Sequence, residues 1–178
     1  MTVASTQSTT LFHPNNPLNL ESGQTLAPVT VAYETYGKLN TNKDNAVLIC
    51  HALSGDAHAS GKNAKGNTGW WDNLIGPKKA IDTNKYFVIC TNTIGSCMGS
   101  TGPNSINPTT KKTYGLAFPI ITIGDMVNVQ KQFIEQLGIS QLKAVIGGSM
   151  GGMQALEWTI MYPESIQQCV IKIGRAHV

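Results

Sequence analysis

The chain has 178 residues, a formal net charge of +3 at pH 7 and 41% hydrophobic residues, which fits one globular domain with a sizeable core. Its lysines are scattered without a nucleic-acid-binding motif, no apolar stretch reaches the roughly 20 residues of a membrane span, and the N-terminus lacks the pattern of a secretory signal. We therefore expect a cytoplasmic protein that binds neither nucleic acid nor membrane.

Short apolar runs alternate with helical patterns along the chain. Strands are predicted where β-branched and apolar residues cluster, and helices where apolar residues repeat at helical spacing. The predicted strands are residues 29–36, 46–50, 86–91, 142–146 and 168–173, and the predicted helices are residues 126–137 and 154–162. Thr122 and Asp125 are spaced for a helix cap, and Gly138 for a helix end. Alternating strands and helices predict an α/β fold with a parallel sheet.

The sequence GGSMG at residues 147–151 satisfies G-x-S-x-G between a predicted strand and a predicted helix, which is the context of a nucleophile elbow. Glycine at both ends of this pentapeptide leaves room for a sharp turn that presents Ser149 as a nucleophile. The backbone N–H groups of Met150 and of Leu53, in the loop after strand 46–50, are the expected oxyanion donors. The alternatives are a purely structural glycine turn and a dinucleotide-binding loop, whose G-x-G-x-x-G pattern is absent.

Two long polar stretches, residues 54–77 and 93–119, are glycine-rich and separate the predicted elements. Loops of this length in a compact domain are usually functional or disordered. The second contains an uncharged run of small residues, so we expect it to pack as a wall near the site.

A cluster of potential ligands lies at the start of the first long stretch: Cys50, His51, Asp56 and His58. A metal site is one interpretation, but the first two residues are adjacent and no second ligand cluster faces them. We predict no metal and expect His51 to orient its loop by hydrogen bonding. The four cysteines show no CxxC spacing, and free thiols are expected.

Six long motifs extend over most of the chain: HALSGDAHASG (51–61), GWWDNLIGP (69–77), IDTNKYFVICTN (81–92), GSCMGSTGPNSINP (95–108), YGLAFPIITIGDMVNVQ (114–130) and GGSMGGMQALEW (147–158). Together they closely resemble the homoserine O-acetyltransferases. The resemblance runs from about residue 10 to residue 171 and departs from the family's pattern at Ser96 and Gly124.

This resemblance implies an α/β-hydrolase fold, with a mostly parallel sheet and helices on both faces, that is incomplete at the C-terminus. It implies that Ser149 accepts an acetyl group from acetyl-CoA, a co-substrate rather than a bound cofactor, with Leu53 and Met150 forming the oxyanion hole. The acetyl group then passes to the hydroxyl of L-homoserine in methionine biosynthesis, and the full-length enzyme is a homodimer. The open alternatives are a succinyl-CoA donor, an esterase with water as the acceptor, and an inactive binding module.

An elbow serine in this fold needs an acidic residue and then a histidine later in the chain. Three histidines precede Ser149, which is the wrong order: His13, His51 and His58. The one that follows, His177, lies in IGRAHV (173–178), which we interpret as a non-native tail translated from a sequencing adapter; a divergent natural C-terminus is the alternative. We expect residues 1–172 to be the N-terminal part of a catalytic domain, the triad Asp and His to be absent, and the chain to be inactive alone.

Overall fold

A six-stranded sheet forms the centre of the fold in the computed structural model, which describes residues 5–172. The interpretation of residues 173–178 lies outside the described residues. The strands are β1 (Gln7–Thr10), β2 (Leu18–Asn19), β3 (Thr25–Leu26), β4 (Thr30–Tyr36), β5 (Ala46–Cys50), β6 (Ile75–Gly76), β7 (Ile81–Asp82), β8 (Phe87–Thr91), β9 (Ala144–Gly148) and β10 (Cys169–Lys172). The helices are α1 (Ile123–Gln136) and α2 (Met150–Met161).

The central sheet has the strand order β1-β4-β8-β5-β9-β10. The pairings of β1 with β4 and of β4 with β8 are antiparallel, and the three pairings from β8 to β10 are parallel. The expected mostly parallel sheet is therefore confirmed. Every residue of β5 is buried, because both faces of this strand are covered, and such strands carry continuous apolar sequences.

The two faces of the sheet are covered differently within residues 5–172. Helices α1 and α2 contact each other and pack on one face, where Phe133 and Trp158 are fully buried against strand residues such as Leu48. On the other face, Ala59 and Ile75 from the long segment after β5 pack against residues of β5 and β8. Neither of the two described helices is long and apolar enough to cross a membrane.

Helix α1 begins with the predicted cap. Thr122 Oγ1 accepts a hydrogen bond from the Asp125 N–H at 3.1 Å, and the Asp125 carboxylate accepts one from the Thr122 N–H at 2.9 Å. This reciprocal pair satisfies two backbone donors that the helix itself leaves unpaired. Gly138, at φ 73°, follows the last turn as predicted.

Replacing Thr122 with alanine removes the acceptor for the Asp125 N–H. We expect the free energy of unfolding to fall by about 1 kcal/mol, the typical cost of losing a helix N-cap. Urea unfolding followed by circular dichroism measures this change. Thr41→Ala is the matched control, since Thr41 is exposed and its side chain makes no hydrogen bond within the described residues. Equal stability of the two variants would contradict a stabilising cap.

Candidate active site

Ser149 lies between the end of β9 and the start of α2 in a strained conformation. Its backbone angles are φ 55° and ψ −124°, and a positive φ is uncommon for any residue other than glycine. Its N–H donates to the Lys172 carbonyl at 2.8 Å, and its carbonyl accepts from the Gly152 N–H at 2.8 Å. The side chain is exposed. This strand–turn–helix geometry is that of a nucleophile elbow.

Two glycines permit the turn because backbones meet there at very short distances. A β-carbon on Gly147 would overlap the Gly151 carbonyl group, and one on Gly151 would overlap the Cys50 carbonyl group. Gly148 differs, since the nearest atom to its β-carbon would be the Lys172 carbonyl oxygen at 3.7 Å. The first turn of α2 therefore packs directly against the ends of β5 and β9.

The two backbone donors expected from the sequence are both free. The N–H groups of Leu53 and Met150 donate no hydrogen bond within the described residues. Met150 is the first residue of α2, where the helix carries a partial positive charge. Both residues line the same cavity of about 430 Å³, so the loop after β5 and the N-terminus of α2 lie side by side. The expected wall, residues 93–119, supplies much of the lining of this second cavity.

The His51 ring fixes the loop that carries Leu53. Its Nδ1–H donates to the Ala52 carbonyl at 2.7 Å, and Nε2 accepts from the side chain of Asn92 and the N–H of Thr93, each at 3.1 Å. Burial lowers the pKa of His51, which agrees with a neutral ring that both donates and accepts. His51 therefore orients its loop by hydrogen bonding, as predicted, and its partners Asn92 and Thr93 directly follow β8.

A buried amide network lies behind the elbow. The Gln130 side chain donates to Gln154 Oε1 at 2.6 Å and accepts from the Trp158 indole N–H at 2.8 Å. Gln154 in turn donates to the Met150 carbonyl at 3.5 Å. All three side chains are buried, and satisfied buried polar groups specify a unique arrangement. The network therefore fixes α2 against α1 in one position.

A cavity of about 560 Å³ opens in front of Ser149. Its walls include His58, Trp70, Trp71 and Lys172. Ser149 Oγ has no hydrogen-bond partner among the described residues, and both His58 ring nitrogens are already engaged, with Glu34 and the Asn67 carbonyl. Neither His58 nor the buried His51, whose ring is hydrogen-bonded to Ala52, Asn92 and Thr93, is therefore free to act as a base for the serine.

The potential ligands singled out in the sequence do not converge. His51 bonds within its loop and to the end of β8, while His58 bonds to Glu34. Within residues 5–172, no group of three or more His, Cys, Asp or Glu side chains is placed to hold a metal ion. Glu34, which the sequence analysis did not single out, is buried on β4; a lone carboxylate in an otherwise apolar and aromatic strand is the signal that marks it.

Comparison with known proteins assigns the chain to a fold family. A family model described as the alpha/beta hydrolase fold matches residues 45–172. The chain therefore belongs to the α/β-hydrolase fold family. It is 63% identical over 157 residues to a homoserine O-acetyltransferase from Methanococcus vannielii, an alignment that covers 88% of this chain and 32% of that protein.

Two solved structures have the same fold over nearly the whole chain. One is a homoserine O-acetyltransferase from Bacillus anthracis, with a TM-score of 0.87 and 41% identity over 95% of this chain and 46% of that one. The other is esterase E22, with a TM-score of 0.84 and 44% identity over 92% of this chain and 46% of that one. The chain spans about a third of the length of several curated relatives that it matches.

Replacing Gly151 with alanine forces a methyl group into the Cys50 carbonyl. We expect a loss of at least about 3 kcal/mol in stability, because rigid backbone cannot give way as a side chain does. Thermal unfolding measures it. Gly148→Ala is the matched control, three residues away and with ordinary contact distances, and it should unfold close to the parent temperature. If both variants unfold at the same temperature, the close approach of α2 to β5 does not limit the stability of the protein.

Proposed function

We propose that this chain supplies the nucleophile-bearing part of a homoserine O-acetyltransferase. One observation carries the proposal: Ser149 lies on a strained strand–helix turn, and the unpaired N–H groups of the next residue, Met150, and of Leu53 line one cavity, as an oxyanion site for acyl transfer would require. The 63% identity to the homoserine O-acetyltransferase of Methanococcus vannielii supports homoserine as acceptor and an acetyl group as the transferred unit.

Ser149 Oγ would attack the thioester carbonyl of acetyl-CoA. As the C–O bond forms, the carbonyl oxygen gains negative charge, which the N–H groups of Leu53 and Met150 stabilise. Collapse of this intermediate breaks the C–S bond, releases CoA as thiolate or thiol, and leaves acetyl-Ser149. The homoserine hydroxyl then attacks this ester, gives O-acetylhomoserine and restores the serine.

The serine proton must pass to a base in the first step and return in the second. Since the side chains of His51 and His58 are engaged elsewhere and His13 lines a different cavity from Ser149, the base is proposed to come from a part of the protein outside residues 5–172. Acetyl-CoA acts as a co-substrate and no bound cofactor is required. The role in methionine biosynthesis, the homodimer and the cytoplasmic location rest on the family resemblance.

Hydrolysis is the second candidate function, because esterase E22 shares this fold at 44% identity. The two activities have the same first step, in which an acyl group reaches the serine. They differ in the acceptor, water or homoserine, for the second step. The transferase is favoured because relatives at 55–63% identity are homoserine O-acetyltransferases. The rate of CoA release, measured with and without homoserine, distinguishes the two activities.

Incubating the full-length protein with acetyl-CoA should add one acetyl group at Ser149, detected by peptide mass spectrometry. Ser149→Ala should abolish this adduct, because no other residue in GGSMG (147–151) has a hydroxyl or thiol side chain. Ser140→Ala is the control, since Ser140 is exposed and precedes β9, whereas Ser149 follows the opposite end of that strand. An adduct that persists in Ser149→Ala would refute the assigned nucleophile.

The acceptor is tested in the same assay. Homoserine should accelerate CoA release and yield O-acetylhomoserine in equal amount, whereas an esterase would release acetate at a rate that homoserine does not change. That second result would replace the transferase by the hydrolase.

Residues 1–178 alone should transfer no acetyl group. A serine nucleophile without its base loses on the order of 10⁴-fold or more in kcat. Among the described histidines, His51 and His58 are already hydrogen-bonded, and His13 lines a different cavity from Ser149. Product formation by the isolated chain, measured by liquid chromatography against the full-length protein, checks this. Turnover within a hundredfold of the full-length rate would mean that a base lies within these residues.

A further inference from the structure

One wall of the cavity in front of Ser149 is a short hairpin that folds back on itself. We call residues 61–69 the pocket hairpin. A bridge joins Lys62 to Thr68 across it, and the Asn63 N–H donates to the Asn67 carbonyl at 3.0 Å. Asn63, Asn67 and Thr68 line the cavity. The position of this hairpin therefore sets the width of the cavity.

His58 connects the pocket hairpin to the central sheet. Its Nδ1 lies 3.0 Å from Glu34 Oε2 on β4, and its Nε2 lies 3.0 Å from the Asn67 carbonyl oxygen in the hairpin. Glu34 and His58 are both buried, at 1% and 8% exposure. This bridge is one side-chain link between the hairpin and the sheet, and the mechanism of acyl transfer does not use it.

The partners of His58 determine its charge. A carbonyl oxygen only accepts hydrogen bonds, so Nε2 must carry a proton. The Glu34 carboxylate already accepts from Thr6 Oγ1 at 2.8 Å and from the Tyr36 hydroxyl at 2.7 Å, and an ionised carboxylate only accepts hydrogen bonds. Nδ1 must then donate as well, and the ring with both nitrogens protonated is an imidazolium.

We propose that His58 is a positioning residue whose imidazolium donates hydrogen bonds both to Glu34 on β4 and to Asn67 in the pocket hairpin, a link that we call the clasp. The clasp holds the cavity wall in front of Ser149 in place, and loss of the His58 proton releases this wall. A neutral ring has one N–H. It keeps the charge-assisted bond to Glu34 and leaves the Nε2 lone pair facing the Asn67 carbonyl oxygen, where two acceptors repel each other.

The direction of the pH dependence follows from the surroundings of the ring. Burial lowers the pKa of His58, but the hydrogen bonds to Glu34 and Asn67 and the charges of Glu34 and Asp56 outweigh it, so the pKa is raised. A raised pKa in the closed state means that closure is stabilised at low pH and lost as pH rises through that pKa.

The charged and titratable groups on the elements around the ring are Glu34 and Tyr36 on β4, Asp56 in its own loop, Cys90 on β8, Lys62 and Lys65 on the hairpin, and Lys172 across the cavity.

Release of the hairpin would reach the elbow through two tryptophans. The Trp70 N–H donates to the His58 carbonyl at 3.3 Å and the Trp71 N–H to the Ala59 carbonyl at 2.8 Å. The backbone of both tryptophans is therefore hydrogen-bonded to the segment that carries the His58 ring. The Trp71 ring extends to Gly148, about 4.0 Å from the site of its absent β-carbon. The effect on activity rests on the proposed function, whereas the movement of the hairpin does not.

The test is hydrogen exchange of the pocket hairpin across pH 5.5 to 9 in the full-length protein, without substrate and corrected for the intrinsic dependence on pH. We expect constant protection at low pH and a fall of roughly ten- to hundredfold at high pH, as for a lost charge-assisted hydrogen bond. The midpoint should coincide with the titration of His58 followed by NMR. Protection independent of pH, or a midpoint that differs from this titration, would overturn the proposal.

Two variants separate a switch from a purely structural contact. Glu34→Gln keeps an acceptor but removes the charge, so the midpoint should move to lower pH. His58→Gln should leave the hairpin weakly protected at every pH, while His13→Gln, in an exposed histidine that pairs only through its backbone, should change nothing. An unmoved midpoint in Glu34→Gln contradicts the clasp; if that variant does not fold, the coincidence of midpoints in the parent protein decides.

Activity gives a separate readout. KM for the acyl donor should rise with pH through the same midpoint, while the rate of serine acetylation at saturating donor should follow its own base. Failure of acetylation with an intact exchange transition would reject the proposed function alone. Normal acetylation without an exchange transition would reject the clasp alone.

Discussion

Helix α2 packs its first turn against the backbone at the ends of β5 and β9, so closely that no β-carbon fits at Gly147 or Gly151. Between these glycines Ser149 has a positive φ, a strain that persists only when the surrounding packing enforces it. The exposure of the serine side chain, the unpaired N–H of Met150 and the direction of α2 all follow from this one contact. The buried amide network behind the elbow and the His51 ring beside it keep the contact in place.

Strands with a strong local signal could be predicted from the sequence, and those without one could not. The run AVLIC defines β5 to the residue, because a strand buried on both faces is continuously apolar. Strand β1, QSTT, was missed since it is polar and lies at the edge of the sheet. Helix α2 begins at Met150, four residues before its predicted start at Gln154. The start was predicted too late because Gly151 and Gly152 are poor helix formers, although the close packing of Gly151 against β5 requires a glycine there.

The candidate site divides in the same way. The pentapeptide around Ser149 and the loop after β5 are local patterns, so the strained turn at Ser149 and the unpaired N–H groups of Leu53 and Met150 could be proposed from sequence. The pairing of Glu34 with His58 joins residues that are far apart in the chain and on different elements. No spacing rule connects them, because contact between a strand and a distant loop is decided by tertiary packing. The joint burial of Glu34 and His58 is therefore evident only in the folded structure.

The hydrogen bond from the Ser149 N–H to the Lys172 carbonyl also has a consequence for the order of events on the ribosome. A chain emerges N-terminus first and its parts fold as they become available. The glycine-rich turn therefore leaves the ribosome before β10, whose parallel pairing with β9 ends at Lys172 opposite Gly148. The nascent serine turn lacks this backbone partner until Lys172 has been added, so this hydrogen bond forms only after the strands on the other side of β9 have been synthesised.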